Sequence, residues 1–443
     1  MLQKRKRIFL GLLLMAALLL DSSIVFAQDE AQPTAQPDAA LPADHSGAAP
    51  ETGTAESVQT ATMETPTPAA TTTPTVEPTP TLPAYQESYE GLPLCLPGVY
   101  LIAPVDCLPM GPSETLTKWA REGISIPDQP LIASHPDRSL LVLNKNYAKL
   151  NVGEGVQAAW YPDMASAISG WGASHYVPIG NTLYISYDKI GYNGGDAYVT
   201  NALGEWIRAS PTVYSDFQGL LFAQQPKNDF GWIIDLVNPR REPSYNAAIL
   251  NEQLTRNTVV KIYDTVEAEG TTWYMIGIGK WVERRAIRAV YPHSDAPEGV
   301  ENGRWIEVNL YEQTLCVYEN NQLLFATLVA TGYEPYYTQP GLFQIRLKKD
   351  FETMTGAFAS GKTDYYLLED VPWTMYYDGP RALHGAYWRA MFGYEQSHGC
   401  INLSVGDSAW LYQWANEGDW VYVWDPSGET PTDPSFYTVN AAF

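Results

Sequence analysis

Between Gln28 and Ala84 the chain contains no aromatic residue, no Lys and no Arg. Pro, Thr and Ala dominate, as in Thr65-Pro66-Thr67-Pro68 and Thr79-Pro80-Thr81. Such a stretch buries too little apolar surface to offset its ordering entropy, so residues 28–85 are expected to form an extended, disordered linker. Proline stiffens it, with roughly 3.1 Å of reach per residue where it is polyproline-like. Whatever folds must lie downstream. The whole chain of 443 residues is 45% hydrophobic and 12% aromatic, enough for sizeable cores, and its length argues for roughly two to four units.

Ahead of the linker, Lys4, Arg5, Lys6 and Arg7 precede an apolar run from Ile8 to Leu20, and Val25 and Ala27 occupy the small-residue cleavage positions. Residues 1–27 therefore read as a secretory signal peptide. The run is shorter than the about 20 residues of a comfortable span, so retention as a membrane anchor is the lesser alternative. The expected location is the cell envelope or the extracellular side, and a stiff acidic tether suits a module held off a membrane or threaded through a wall. A solvated spacer is the plainer reading. Lys plus Arg number 27 against 50 Asp plus Glu, a net charge of −23. A chain this acidic lacks the cationic field that phosphate binding needs, which argues against nucleic acid as a partner.

Four cysteines, Cys95, Cys107, Cys316 and Cys400, are too few for a disulfide-built scaffold, and their spacing fits no zinc ribbon. Cys95 and Cys107 flank a short Pro- and Gly-containing loop within the connecting segment 86–130; in an exported chain a disulfide is expected there, a free pair being the alternative. Cys316 falls mid-strand and reads as a buried small hydrophobe. An internal echo follows: Asn181-Thr182-Leu183, Tyr187-Asp188 and Tyr198 recur as Asn257-Thr258-Val259, Tyr263-Asp264 and Tyr274. Gly204-Glu205-Trp206-Ile207 then recurs as Gly279-Lys280-Trp281-Val282. Each copy reads as short Val-, Ile-, Tyr- and Trp-rich strands broken by turns. The second resembles a small SH3-like barrel, so two such modules are expected, at 131–215 and 216–298. Their Trp and Tyr faces suit a glycan or wall peptide, or simply fill the barrels.

The chemistry lies further on, in His384-Gly385-Ala386-Tyr387-Trp388 and, sixteen residues after the first His, Ser397-His398-Gly399-Cys400-Ile401-Asn402. An exported protein seldom leaves a thiol unpaired without a use for it. A free cysteine has a pKa near about 8.5 and needs a base or positive field to become a good nucleophile. Two histidines stand ready. Glycine at 399 lets the backbone bend so that consecutive amides face one spot, where each stabilises a tetrahedral oxyanion by about 3 kcal/mol. This is a site for thiol-based acyl transfer. A zinc site on His384, His398 and Cys400 lacks a fourth ligand at a normal spacing, and no cofactor is expected.

This double motif resembles the signature of the L,D-transpeptidases, the YkuD-type family, over residues 302–424. Carried over, the resemblance makes Cys400 the nucleophile and His384 the general base, with Gly385 orienting the imidazole through its main-chain carbonyl. His398, Gly399 and Cys400 would donate oxyanion-hole amides; Ser397, His398 and Asn402 would support the loop by hydrogen bonding. Trp388 matches a pocket-wall aromatic, and Tyr387, Asn402, Tyr366 and Met354 complete the expected substrate-binding set, the last two in a lid. His45, His135, His175 and His293 read as surface or structural.

The flanking sequence agrees with such a domain. Ile306, Val308 and Leu310 alternate with Glu307 and Asn309, as in a half-buried strand. Leu315 to Tyr318 forms the next, Asn320-Asn321 a hairpin turn before Leu323 to Ala330, and Gly341 to Leu347 another. Trp410, Leu411 and Trp414 recur at helical spacing, Gly418 stops that helix, and Trp420 to Trp424 closes the domain before a tail at 425–443. Where the family carries Thr-Pro-Thr-Gly, this chain has Thr338-Gln339-Pro340-Gly341. The fold expected is mostly β: a C-terminal L,D-transpeptidase-type β-sandwich with a short helix, preceded by the small modules and the linker. The function implied is an exported peptidoglycan L,D-transpeptidase acting on stem peptides and forming 3-3 cross-links through a cysteine thioester. The alternatives are an L,D-carboxypeptidase or protein-anchoring transferase with the same nucleophile, or a non-catalytic wall-binding protein.

Overall fold

Alternating apolar residues and Gly- or Asn-bearing turns produce a mostly β molecule. The computed structural model describes residues 119–124, 130–153, 155–216, 218–357 and 365–438. The signal-like segment, the Pro/Thr-rich linker, Cys95 and Cys107 lie outside the described residues.

The first part of the chain runs through β1 (Asn146–Lys149), β2 (Ala159–Trp160), helix α1 (Met164–Ser169), β3 (His175–Tyr176) and β4 (Gly180–Tyr187). The first copy of the repeat follows as the antiparallel meander β5 (Lys189–Asn193), β6 (Asp196–Thr200) and β7 (Trp206–Arg208). Short strands β8 (Ser210–Pro211) and β9 (Leu220–Leu221) lead to β10 (Asp229–Ile233) and β11 (Val259–Ile262). The second copy is the matching meander β12 (Asp264–Ala268), β13 (Thr271–Gly277) and β14 (Lys280–Glu283), and β15 (Ile287–Val290) returns to β10. Each copy has its own core. One gathers Leu150, Trp160, Leu183, Ile185, Val199 and Ile207, the other Ile233, Ile262, Tyr274, Val282 and Ile287.

The C-terminal part comprises β16 (Arg304–Asn309), β17 (Thr314–Glu319), β18 (Gln322–Leu328), β19 (Gly341–Gln344), β20 (Leu347–Gly356), β21 (Tyr365–Asp378), β22 (Arg381–Gly385), β23 (Ile401–Leu403), helix α2 (Val405–Trp414) and β24 (Trp420–Trp424), followed by the short α3 (Ser435–Thr438). The β17–β18 hairpin turns on Asn320 and Asn321, at φ 53° and 61°, the left-handed pair a tight turn demands. Ser404 caps α2, its hydroxyl accepting from the Asp407 amide. A six-stranded sheet in the order β19-β24-β16-β17-β18-β9 faces a seven-stranded one in the order β23-β22-β21-β4-β1-β8, with β20 paired to β21. Val308, Val317, Phe325, Met375, Leu383, Ile401, Leu403, Leu411 and Val421 fill the space between them.

Both sheets recruit strands from upstream. β4 lies parallel to β21, with Leu183 opposite Leu367, and β9 pairs with β18. The outer face of the first sheet is also covered, by a cluster including Phe230, Trp232, Val290, Trp305 and Tyr318. That covering corrects the half-buried reading of β16, which is buried from Trp305 to Asn309. Glu307 tolerates the interior because Trp424 Nε1 donates to it at 3.2 Å and His293 Nε2 lies 2.9 Å away; a buried carboxylate needs such partners.

Candidate active site

β22 and β23 are neighbouring parallel strands, in the register Leu383 with Ile401, His384 with Asn402, and Gly385 with Leu403. Leu383, Ile401 and Leu403 point into the core, so strand alternation turns His384 and Asn402 to the other face. Cys400 lies in the bend that leads directly into β23. The pairing of β22 with β23 therefore brings the segments that carry His384 and Cys400 side by side.

His384 is buried. Its Nδ1 lies 3.3 Å from the Gly385 carbonyl, and the Asn402 Nδ2 amide lies 3.1 Å from its Nε2. Burial draws its pKa down to about 4, against the pull of the Gly385 carbonyl and with the help of the Arg389 charge, so the ring is neutral at pH 7. The Trp388 ring sits 5.6 Å away. Gly385 is required here by space: a Cβ would lie 2.6 Å from Ser408 Oγ and 3.1 Å from Pro372 Cγ.

Cys400 is an unpaired, part-buried thiol. Burial pushes its pKa up, while a main-chain hydrogen bond at Ala382 and the Arg381 charge pull it down. Arg381 Nη1 donates to Asp378 at 2.8 Å and Nη2 to the Tyr437 carbonyl at 3.2 Å. Its buried Nε has no hydrogen-bond partner and faces Gly399, where a Cβ would come within 3.1 Å. Gly399 has φ +111°, a conformation open mainly to glycine.

The loop before Cys400 is held from both sides. Ser397 Oγ donates to the Cys400 carbonyl at 2.5 Å and accepts from the Gly399 amide at 3.2 Å. The Gly399 amide, expected to face an oxyanion, is therefore occupied by Ser397 Oγ in this structure. Thr338 Oγ1 accepts from the Gly332 amide at 2.9 Å and donates to the Gly399 carbonyl at 3.0 Å. The divergent Thr338-Gln339-Pro340-Gly341 turn thus supports the cysteine loop directly.

The exposed His398 ring meets three tyrosines: Tyr333, whose hydroxyl is 3.3 Å from Nε2, Tyr336 at 4.7 Å between centroids, and Tyr366, stacked at 6.1 Å. The phenols of Tyr366, Tyr376 and Tyr377 are raised chiefly by burial and also by the nearby Cys400 charge, which places the thiol among them. Met354 and Tyr366 lie on the β20–β21 hairpin and pack in one cluster with Trp388. Two expectations need correction. Tyr387 lines no pocket: it is fully buried, stacked on Tyr147, with its hydroxyl bonded to the Glu369 carbonyl at 2.7 Å. Asn402, expected to bind substrate, is likewise buried, with its carboxamide engaged by His384 and Arg389. Sequence reasoning missed Arg381, Arg389, Thr338 and Tyr333. Arg389 carried a signal as the one Lys or Arg between His384 and Cys400, and Thr338 as the first residue of the divergent turn. Among the described residues no three His, Cys, Asp or Glu side chains converge as metal ligands.

Residues 303–423 match the YkuD family, the L,D-transpeptidase catalytic domain. Among solved structures, an L,D-transpeptidase (Yku) from Stackebrandtia nassauensis is 28% identical over 30% of this chain and 59% of that one, with a TM-score of 0.24. A Cys-to-Ser mutant of an Enterococcus faecium L,D-transpeptidase is 24% identical over 28% of this chain and 50% of that one, TM-score 0.26. An L,D-transpeptidase from Mycobacterium smegmatis is 16% identical over 56% of this chain and 95% of that one, TM-score 0.26. The chain spans between half and three fifths of the length of the first two. No curated protein matches it. The segment carrying His384 and Cys400 is a YkuD-type L,D-transpeptidase domain.

Proposed function

We propose that this protein is an exported peptidoglycan L,D-transpeptidase that forms 3-3 cross-links through a thioester on Cys400. The observation that supports the reading is the parallel pairing of β22 with β23, which brings the strand bearing His384 beside the strand that Cys400 leads into, inside a segment matching that family. Neutral His384 takes the thiol proton, and the sulfur attacks the carbonyl between the L-centred diamino acid and the terminal D-residue of a stem tetrapeptide. A main-chain amide of the Cys400 loop stabilises the tetrahedral oxyanion, for about 3 kcal/mol per donor. The C–N bond breaks, the leaving amine regains the proton from the imidazolium, and the D-amino acid departs. The amine of a second stem then attacks the thioester and passes its proton to His384, the C–S bond breaks, and the imidazolium returns that proton to the sulfur, restoring the thiol. Export is supported by the basic, then apolar, then small-residue N-terminus.

The test is incubation with a carbapenem, an acylating agent of this enzyme class, read by intact mass. An adduct on wild type that is absent from Cys400→Ala supports the nucleophile; no adduct, or an equal one on the variant, sinks the assignment. A stem tetrapeptide with an amine acceptor then separates a transferase, which yields dimer, from a carboxypeptidase, which yields tripeptide alone.

A further inference from the structure

We propose that Arg389 is a positioning residue that fixes the tautomer and orientation of His384 through Asn402. The proposal rests on the acyl-transfer reading of Cys400. Arginine offers only donors. Its Nε lies 2.7 Å from one end of the Asn402 carboxamide, which must therefore be the acceptor oxygen. The other end, the NH₂ group, is the donor 3.1 Å from His384 Nε2. Nε2 then has to present a lone pair, and the single proton of a neutral imidazole sits on Nδ1, facing the Gly385 carbonyl at 3.3 Å. Three hydrogen bonds in series leave one tautomer.

A flipped carboxamide would set the NH₂ group against the guanidinium, two donors face to face in a buried position. The anchor itself is held: Arg389 Nη1 donates to Gln396 Oε1 at 2.9 Å and Nη2 to the Gln396 carbonyl. The Gln396 amide in turn donates to the Thr331 carbonyl at 2.9 Å. The guanidinium thus spans from the base to the root of the Cys400 loop. Although burial lowers its pKa to about 10, it remains charged at neutral pH. With Arg389 in place, the unprotonated nitrogen of the ring is Nε2, which takes up the thiol proton once its hydrogen bond from the Asn402 NH₂ is exchanged; the opposite tautomer would present an N–H there.

The test uses the full chain, with Arg389→Met, Arg389→Lys and Asn402→Asp. Nitrogen-15 spectra of histidine side chains at pH 7, assigned by the signal lost in His384→Gln, are expected to show Nδ1-protonated His384 in wild type and a mixture of tautomers in Arg389→Met. Carbapenem acylation of Cys400, followed by mass, should slow by about 10- to 100-fold in Arg389→Met, the range typical of lost orienting partners, and recover in part in Arg389→Lys. Should Arg389→Met not fold, Asn402→Asp carries the test: it keeps an ion pair to Arg389 but cannot donate to Nε2, so the Nε2-protonated form is expected. An unchanged His384 spectrum in Arg389→Met and Asn402→Asp, or an Arg389→Met protein acylated at the wild-type rate, overturns the proposal. Wild type without any adduct defeats the transpeptidase reading instead, and the spectra still decide the tautomer.

Discussion

The ring of Tyr147 lies flat on that of Tyr387, with centroids 3.6 Å apart and planes inclined by 13°. Their hydroxyls donate to adjacent carbonyls of β21, Tyr147 to Asp370 at 2.8 Å and Tyr387 to Glu369 at 2.7 Å. A strand far upstream is thereby fastened behind the segment that bears His384. Removing the ring in Tyr147→Ala should cost about 3–5 kcal/mol, as for other buried aromatics. Tyr147→Phe, which loses only a hydrogen bond, should cost about 1 kcal/mol. Denaturant titration checks the difference; equal losses would contradict the stacking argument.

The His384 imidazole titrates near 6.5 when unfolded and near 4 when folded. Above the higher value both states are neutral and stability is at its full level. As pH falls toward 4 the unfolded chain binds a proton that the folded one refuses, so stability declines, by about 3 kcal/mol in all. Unfolding free energies of wild type and His384→Gln between these pH values should diverge accordingly. Parallel curves would show that the buried imidazole is not the titrating group.

The Arg381 charge opposes the effect of burial on the Cys400 thiol. In Arg381→Met the pH midpoint for iodoacetamide alkylation of Cys400 should move upward, because the positive field that favours the thiolate is lost, and Arg381→Lys should move it less. Peptide mass mapping isolates Cys400 from the other thiols, and a midpoint that stays in place in Arg381→Met counts against the electrostatic role.

Thr338 supplies both an acceptor for Gly332 and a donor for the Gly399 carbonyl. Thr338→Val leaves these buried groups unpaired, at about 1–3 kcal/mol, and should slow acylation of Cys400. Thr338→Ser should restore both properties. If the valine variant matches wild type in thermal midpoint and acylation rate, the turn does not support the loop.

The strands from β16 to β18 were legible because alternation and the Asn320-Asn321 turn are local signals, and α2 because Trp410, Leu411 and Trp414 share one side with Gly418 beyond them. His384 and Cys400 were singled out by residue chemistry and order, and the pairing of β22 with β23 brings their segments together. Tyr387 was misread because an aromatic after a catalytic histidine looks the same on a pocket wall and in a core until its partner, Tyr147, is placed. Arg389 was not singled out, and the partners of Asn402 were not foreseen, for a related reason: their hydrogen bonds arise only once β22 and β23 are paired. Alternation at Glu307 and Asn309 told the two faces of β16 apart in polarity, but could not reveal that a second layer covers both.

Ser408 Oγ and Pro372 close so tightly on Gly385 that a single methyl has nowhere to go. A saturation library at position 385 should favour its parent strongly, and a side chain there calls for a smaller residue at 408 together with a shift of Pro372. For anyone re-engineering the base, those two sites are a single locus.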